Sequence, residues 1–181
     1  PKVDLRRIRP SHEIDDQDKL AQDYDMLRAA YSLSERIGLQ GDLHALAERI
    51  LDFCFVSLPV DNGAVLTRDE SDALTPLAHR TVDGQPLKIS RTVLQRLEST
   101  REALWVVDAE RDARVGGAHS VMDLGLKSVL AVPMLVGEEV VGAIVLDNRT
   151  QRSAFRINDL YVLGGIAAAA AMALHRRHLL G

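Results

Sequence analysis

Two runs rich in β-branched residues, Ser128 to Leu135 and Val140 to Asp147, flank the tetrapeptide Val136-Gly137-Glu138-Glu139. Such residues fit a pleated surface. A short glycine-containing connection between two of them turns one strand back beside the other. This is the clearest hairpin in the chain, and it requires an antiparallel sheet.

The rest of the chain can be placed around it. Leu20, Tyr24, Leu27 and Tyr31 recur at spacings of four, three and four, an a/d stripe on a helix over Asp16 to Ile37. Ala30, Leu33 and Ile37 widen its apolar face, and Gly38 and Gly41 break it. Asp42 is set to cap a second helix with Leu43, Leu46, Ala47, Ile50, Leu51 and Cys54 on one face, which Pro59 ends. Gly63 to Thr67 and Ala73 to Val82 read as a second hairpin across the polar turn Asp69 to Asp72. Ser90 caps a helix with Val93, Leu94 and Leu97 inward, and Ala103 to Val107 reads as a further strand. Asp108 to Gly117 is irregular, His119 to Leu124 is a turn or two of helix, and Asp159 to Leu180 is helical behind Phe155. Helices grouped in sequence and strands paired as hairpins predict an α+β fold, an antiparallel sheet with helices on its faces and the terminal helices packed together.

Composition narrows the function. In 181 residues, 46% are hydrophobic, enough for a real core, and residues 16–181 read as one domain behind a linker, 1–15. The net charge of −4 supplies no overall footprint for nucleic acid, and the basic patch Lys2, Arg6, Arg7 and Arg9 reads as solvated linker. One cysteine, Cys54, excludes a disulfide framework and suits a reducing, cytoplasmic compartment. The longest apolar run, Ile166 to Leu174, is mostly alanine and reads as too short for a membrane span. The chain opens on Pro1, which reads as a piece of a longer protein.

Four stretches in this order resemble the GAF domain family over roughly residues 40–175. They are Leu46 to Leu51 with Asp61-Asn62-Gly63-Ala64-Val65-Leu66; Ile89-Ser90-Arg91-Thr92-Val93; Gly125 to Met134; and Val141 to Asn148 with Phe155 and Asp159. The variety it resembles is the one next to a forkhead-associated domain in bacterial cyclases and transcription activators. The resemblance implies a sheet of about six strands with a pocket on one face. Members take cyclic nucleotides, bilins, haem, amino acids or other metabolites, and the fold alone does not choose among these.

Cyclic-nucleotide-binding members often carry Asn-Lys followed by Phe-x-x-x-Asp-Glu. Here Asn148, Arg149, Phe155 and Asp159 keep the spacing, with arginine for lysine and Leu160 for glutamate. The structural reading is a clasp in which Arg149 pairs with Asp159 and fastens the last helix to the sheet. The pocket rim falls on Asp108 to Met122. There Asp108, Arg111, Arg114, His119 and Ser120 surround Gly116-Gly117 and could offer polar groups to a small ligand; the plainer reading is a charged surface loop. None of the six histidines forms a metal-ligand pattern with Cys54 or with closely spaced carboxylates, so no metal is expected and no cofactor is specified.

A phosphate-binding glycine loop, a nucleophile elbow and a nucleophile–base set are all missing, so no catalysis is expected. The sulfoxide-reducing members of the family need several cysteines. Two readings follow: a sensor that binds a small molecule and signals to an output domain in the parent chain, or a ligand-free dimerisation module. Both use a homodimer through the terminal helices, with Leu20, Tyr24, Leu27 and Tyr31 facing Leu163, Ala167, Ala170, Ala171 and Leu174 in a four-helix bundle.

Overall fold

A computed structural model describes residues 17–37, 42–115, 117 and 119–180. The linker 1–15, the helix breakers Gly38 and Gly41, and Gly116 lie outside the described residues, as does the side chain of Ser120. The elements are α1 (Gln17–Ile37), α2 (Leu43–Ser57), β1 (Asn62–Arg68), β2 (Leu74–Thr81), α3 (Arg91–Thr100), β3 (Leu104–Val106), α4 (His119–Asp123), β4 (Ser128–Val136), β5 (Glu139–Asn148) and α5 (Ile157–Leu180).

The strands form one antiparallel sheet in the order β2-β1-β5-β4-β3. Among the described residues it has five strands, where the family resemblance implied about six. The β4–β5 hairpin lies at its centre, with Val136 opposite Glu139 across a two-residue loop. Gly137 sits there at φ 60°, the positive value that the first central position of a primed hairpin turn needs. Pro133 is tolerated in β4 because β3 pairs only with Val129 to Ala131 and ends before reaching it.

Alternation along these strands sorts side chains into two cores. Val65, Leu130, Val132, Met134, Ile144 and Leu146 face α1, α2 and α5. Ala64, Leu66, Val129, Ala131, Ala143 and Val145 face α3, α4 and the loops beside them. Helices therefore cover both faces. The caps form as read: Asp42 accepts from the His44 amide at 2.9 Å, and Ser90 accepts from the Val93 amide at 3.4 Å.

The terminal helices pack together, but within one chain. Met26, Ala30, Leu33 and Ile37 bring α1 into the core on the α2 and α5 side of the sheet. Asp23 reaches Arg156 and Asn158 at the start of α5, both at 2.8 Å. This corrects half of the expected dimer interface. Leu163, Ala167, Ala170 and Ala171 are buried in their own domain, because α5 lies across β4 and β5 and spends its apolar stripe on the sheet. Leu174 lines a crevice with Leu46, Ile50, Val65, Met134 and Ala170. Its volume is about 10 Å³, room for one water at most. The other half stays outward: Leu20, Tyr24, Leu27 and Tyr31 are 40%, 63%, 38% and 66% exposed.

The segment Ile157–Arg176 of α5 is long and apolar enough to cross a membrane, with a mean hydropathy of 1.6, which the alanine run alone did not suggest. Half of it is buried inside the fold, as in the core helix of a globular domain.

Candidate functional site

The face under α3 and α4 has an apolar floor with small residues at its centre. Ala64 and Ala131 flank Val145 in register across β1, β5 and β4, and Ala143 follows beside Leu66. Val93 and Leu97 of α3, Val121 of α4, and Val115 and Leu126 close over it. A ligand on this face would rest on aliphatic surface and take its polar contacts from the edge.

At that edge, the chain from Asp108 to Arg114 is stitched by its own charges. Arg114 grips Asp112 with two nitrogens, Nε at 2.9 Å and a terminal nitrogen at 2.5 Å, and also donates to the Trp105 carbonyl at 2.8 Å. This pairing pulls the Asp112 carboxyl below the usual carboxylate range. Asp108 lies 3.2 Å from the Arg152 guanidinium. Glu110 is held by Lys127 at 2.5 Å and Arg152 at 2.6 Å, which lowers its pKa as well. Of the candidate ligand residues, Arg114 and Asp108 are therefore engaged inside the protein. Arg111 is 87% exposed and only loosely paired, at 3.8 Å from Asp108, and His119 is exposed. Those two remain available to a ligand.

The Arg149–Asp159 clasp does not form. Arg149 Nε turns to Asp147 at 3.2 Å, two residues back along the strand. Arg149 directly follows the last residue of β5, so this pair forms locally. Asp159 instead accepts from the Arg156 amide at 2.7 Å, reaching back across the first turn of α5, and lies 3.6 Å from the Arg156 guanidinium. That is one half of a capping box. Asn148 fastens the chain in another way. It donates to the Pro59 carbonyl at 2.7 Å and accepts from the Gln151 amide at 2.7 Å and the Thr150 amide at 3.0 Å. Phe155 is buried, and its carbonyl accepts from the Trp105 indole at 3.0 Å.

Sequence reasoning missed Asp147 and its partner Asn62, which donates to it at 3.0 Å. Two Asp-Asn dipeptides, Asp61-Asn62 and Asp147-Asn148, stand at paired strand ends, and that repetition was the available signal. Burial pushes both Asp147 and Asp159 above the usual carboxylate range, with the neighbouring arginines offsetting part of the shift.

Burial pushes the Cys54 thiol up to about 12, which keeps it protonated and unreactive at neutral pH. Among the described residues, no three of His, Cys, Asp and Glu come together as a metal site.

The family model for the GAF domain matches residues 42–174. Solved structures share the fold at low identity. The GAF domain from Acinetobacter phosphoenolpyruvate-protein phosphotransferase is 19% identical, with 87% of this chain and 95% of that one covered and a TM-score of 0.67. Free methionine-R-sulfoxide reductase from Neisseria meningitidis in complex with its substrate is 15% identical, covering 93% and 96%, with a TM-score of 0.71. Residues 122 to 287 of a methyl-accepting chemotaxis protein are 21% identical, covering 82% and 98%, with a TM-score of 0.64. No curated protein matches the chain.

Proposed function

The chain belongs to the GAF domain family, and from that premise we propose that it is a non-catalytic sensory module, which binds a small molecule on the α3–α4 face and signals through a homodimer. The small molecule rests on the apolar floor beneath α3, with Arg111, His119 and Ser120 as its polar contacts; cyclic nucleotides are one class to try. The resemblance to a sulfoxide reductase does not carry its chemistry here. The sulfoxide-reducing members need several cysteines, and this chain has one, buried and protonated. A net charge of −4 argues against nucleic acid as a partner, and the single cysteine suits the cytoplasm. The receiver of the signal is an output domain in the parent chain.

The observation that carries the signalling half is the stripe on α1. Although α1 packs into its own domain along Met26, Ala30, Leu33 and Ile37, it still presents Leu20, Tyr24, Leu27 and Tyr31 outward. Four large apolar side chains at heptad spacing match a second copy of themselves. The dimer seam therefore runs along α1, with α5 lying behind it against the sheet.

Light scattering at micromolar concentration tests this. The wild-type chain is expected at twice the chain mass and Leu27→Glu at the chain mass, with secondary structure unchanged because Leu27 lies outside the core. A wild-type monomer, or a Leu27→Glu dimer, would contradict it.

A further inference from the structure

Residues 149–156, between β5 and α5, touch both the rim of the α3–α4 face and α1. In its middle Arg152 reaches Asp108 at 3.2 Å and Glu110 at 2.6 Å, on the rim of the α3–α4 face. At its end Arg156 reaches Asp23 of α1 at 2.8 Å, and the second Asp23 oxygen accepts from Asn158. Between them, the Ser153 amide donates to the Val107 carbonyl at 2.6 Å. Ser153 sits at φ 53°, a left-handed conformation that costs a non-glycine residue energy and persists only when its surroundings impose it. The segment is thus tied to the rim through Arg152 and to α1 through Arg156, with the strained Ser153 directly after the first of them.

We propose that residues 149–156 act as a strap that makes the grip on α1 depend on the position of the rim. When Arg152 holds Asp108 and Glu110, the strap is fixed and presents Arg156 to Asp23. When the rim moves and Arg152 lets go, Ser153 relaxes and the Arg156–Asp23 contact loses its preorganisation. α1, which carries the outward stripe, is then held less tightly. The inference rests on the sensor reading only for what moves the rim, since the coupling itself belongs to the free protein. Coupling of this kind is a free energy between two sites and is reciprocal, so breaking either end must weaken the other.

The test is amide hydrogen exchange of residues 26–37 in the full chain, at one protein concentration and without ligand. Arg152→Gln is expected to raise exchange there about two- to fivefold, the scale of one partly exposed ion pair. Arg101→Gln removes a different exposed pair, with Glu138, and is expected to leave α1 unchanged. Asp23→Asn should raise exchange directly, and the double variant should fall short of the product of the two single effects. Faster exchange confined to residues 107–112 and 148–153, with α1 as in the wild type, would overturn the strap. So would a double variant equal to that product. Either result leaves ligand binding on the α3–α4 face standing, and a chain that binds no small molecule leaves the coupling measurement unaffected.

Discussion

Phe155→Ala is expected to lower the free energy of unfolding by about 3–5 kcal/mol. Phe155 is only 2% exposed and shares the core on the α2 and α5 side of the sheet with Leu160 and Leu163. Loss of its ring leaves a cavity where the strap enters α5, and its neighbours cannot collapse into that space. The Trp105 indole holds the adjacent carbonyl, while the Asp159 carboxylate holds the Arg156 amide. Domains of this kind are stable by about 5–15 kcal/mol in all, so the variant stands close to unfolding. Urea titration at a fixed protein concentration measures the loss, and the concentration matters because a dimer adds its own stability. Trp105, the single tryptophan, reports the transition by fluorescence. Phe155→Leu keeps most of the volume and should cost under about 1.5 kcal/mol. Equal losses for leucine and alanine would show that the cavity is not the cause.

Gly142→Val is expected to cost about 3 kcal/mol or more, at or beyond the upper end of overpacking effects. Gly142 lies in β5, between Thr67 of β1 and Met134 of β4. A Cβ there would stand 2.5 Å from the Leu66 carbonyl oxygen and 3.0 Å from the Met134 sulfur. The sulfur belongs to a flexible side chain and can give way, but the carbonyl belongs to a central strand and cannot. Gly165 on α5 is the internal control. It is exposed, and a methyl group added to its Cα would meet no neighbouring side chain within 4 Å. Gly165→Ala should therefore stabilise the helix by about 0.5–1 kcal/mol. The same urea titrations decide both, and a mild Gly142→Val would mean that β1 and β5 are not packed as described.

The parts of the fold governed by local pattern were legible in the sequence. The β4–β5 hairpin, the Asp42 and Ser90 caps and the α1 stripe follow from residue type and spacing over a few positions. The partner of an apolar face was not legible. Leu163, Ala167, Ala170 and Ala171 repeat with helical period, and that period says a face is buried without saying against what. The sheet took it, and a second chain was the expectation. The charged residues failed in the same way. Arg149 and Asp159 have the spacing of a clasp, yet each had a nearer partner: Asp147 at i−2 for the arginine, and the Arg156 amide at i−3 for the carboxylate. Arg152 with Asp108, and Arg156 with Asp23, join segments 44 and 133 residues apart. No local rule reaches that far.

The proposed ligand site is tested most directly by chemical-shift mapping on isotope-labelled protein, titrated with cyclic AMP, cyclic GMP and a panel of amino acids and small metabolite anions. A ligand on the α3–α4 face is expected to shift amides in residues 88–98 and 108–124 first, with smaller changes in 149–156. Shifts confined to α1, α2 and α5 would contradict that placement. No shift from any compound, together with a native mass equal to that of the bare protein, would contradict the sensor reading and favour the ligand-free module.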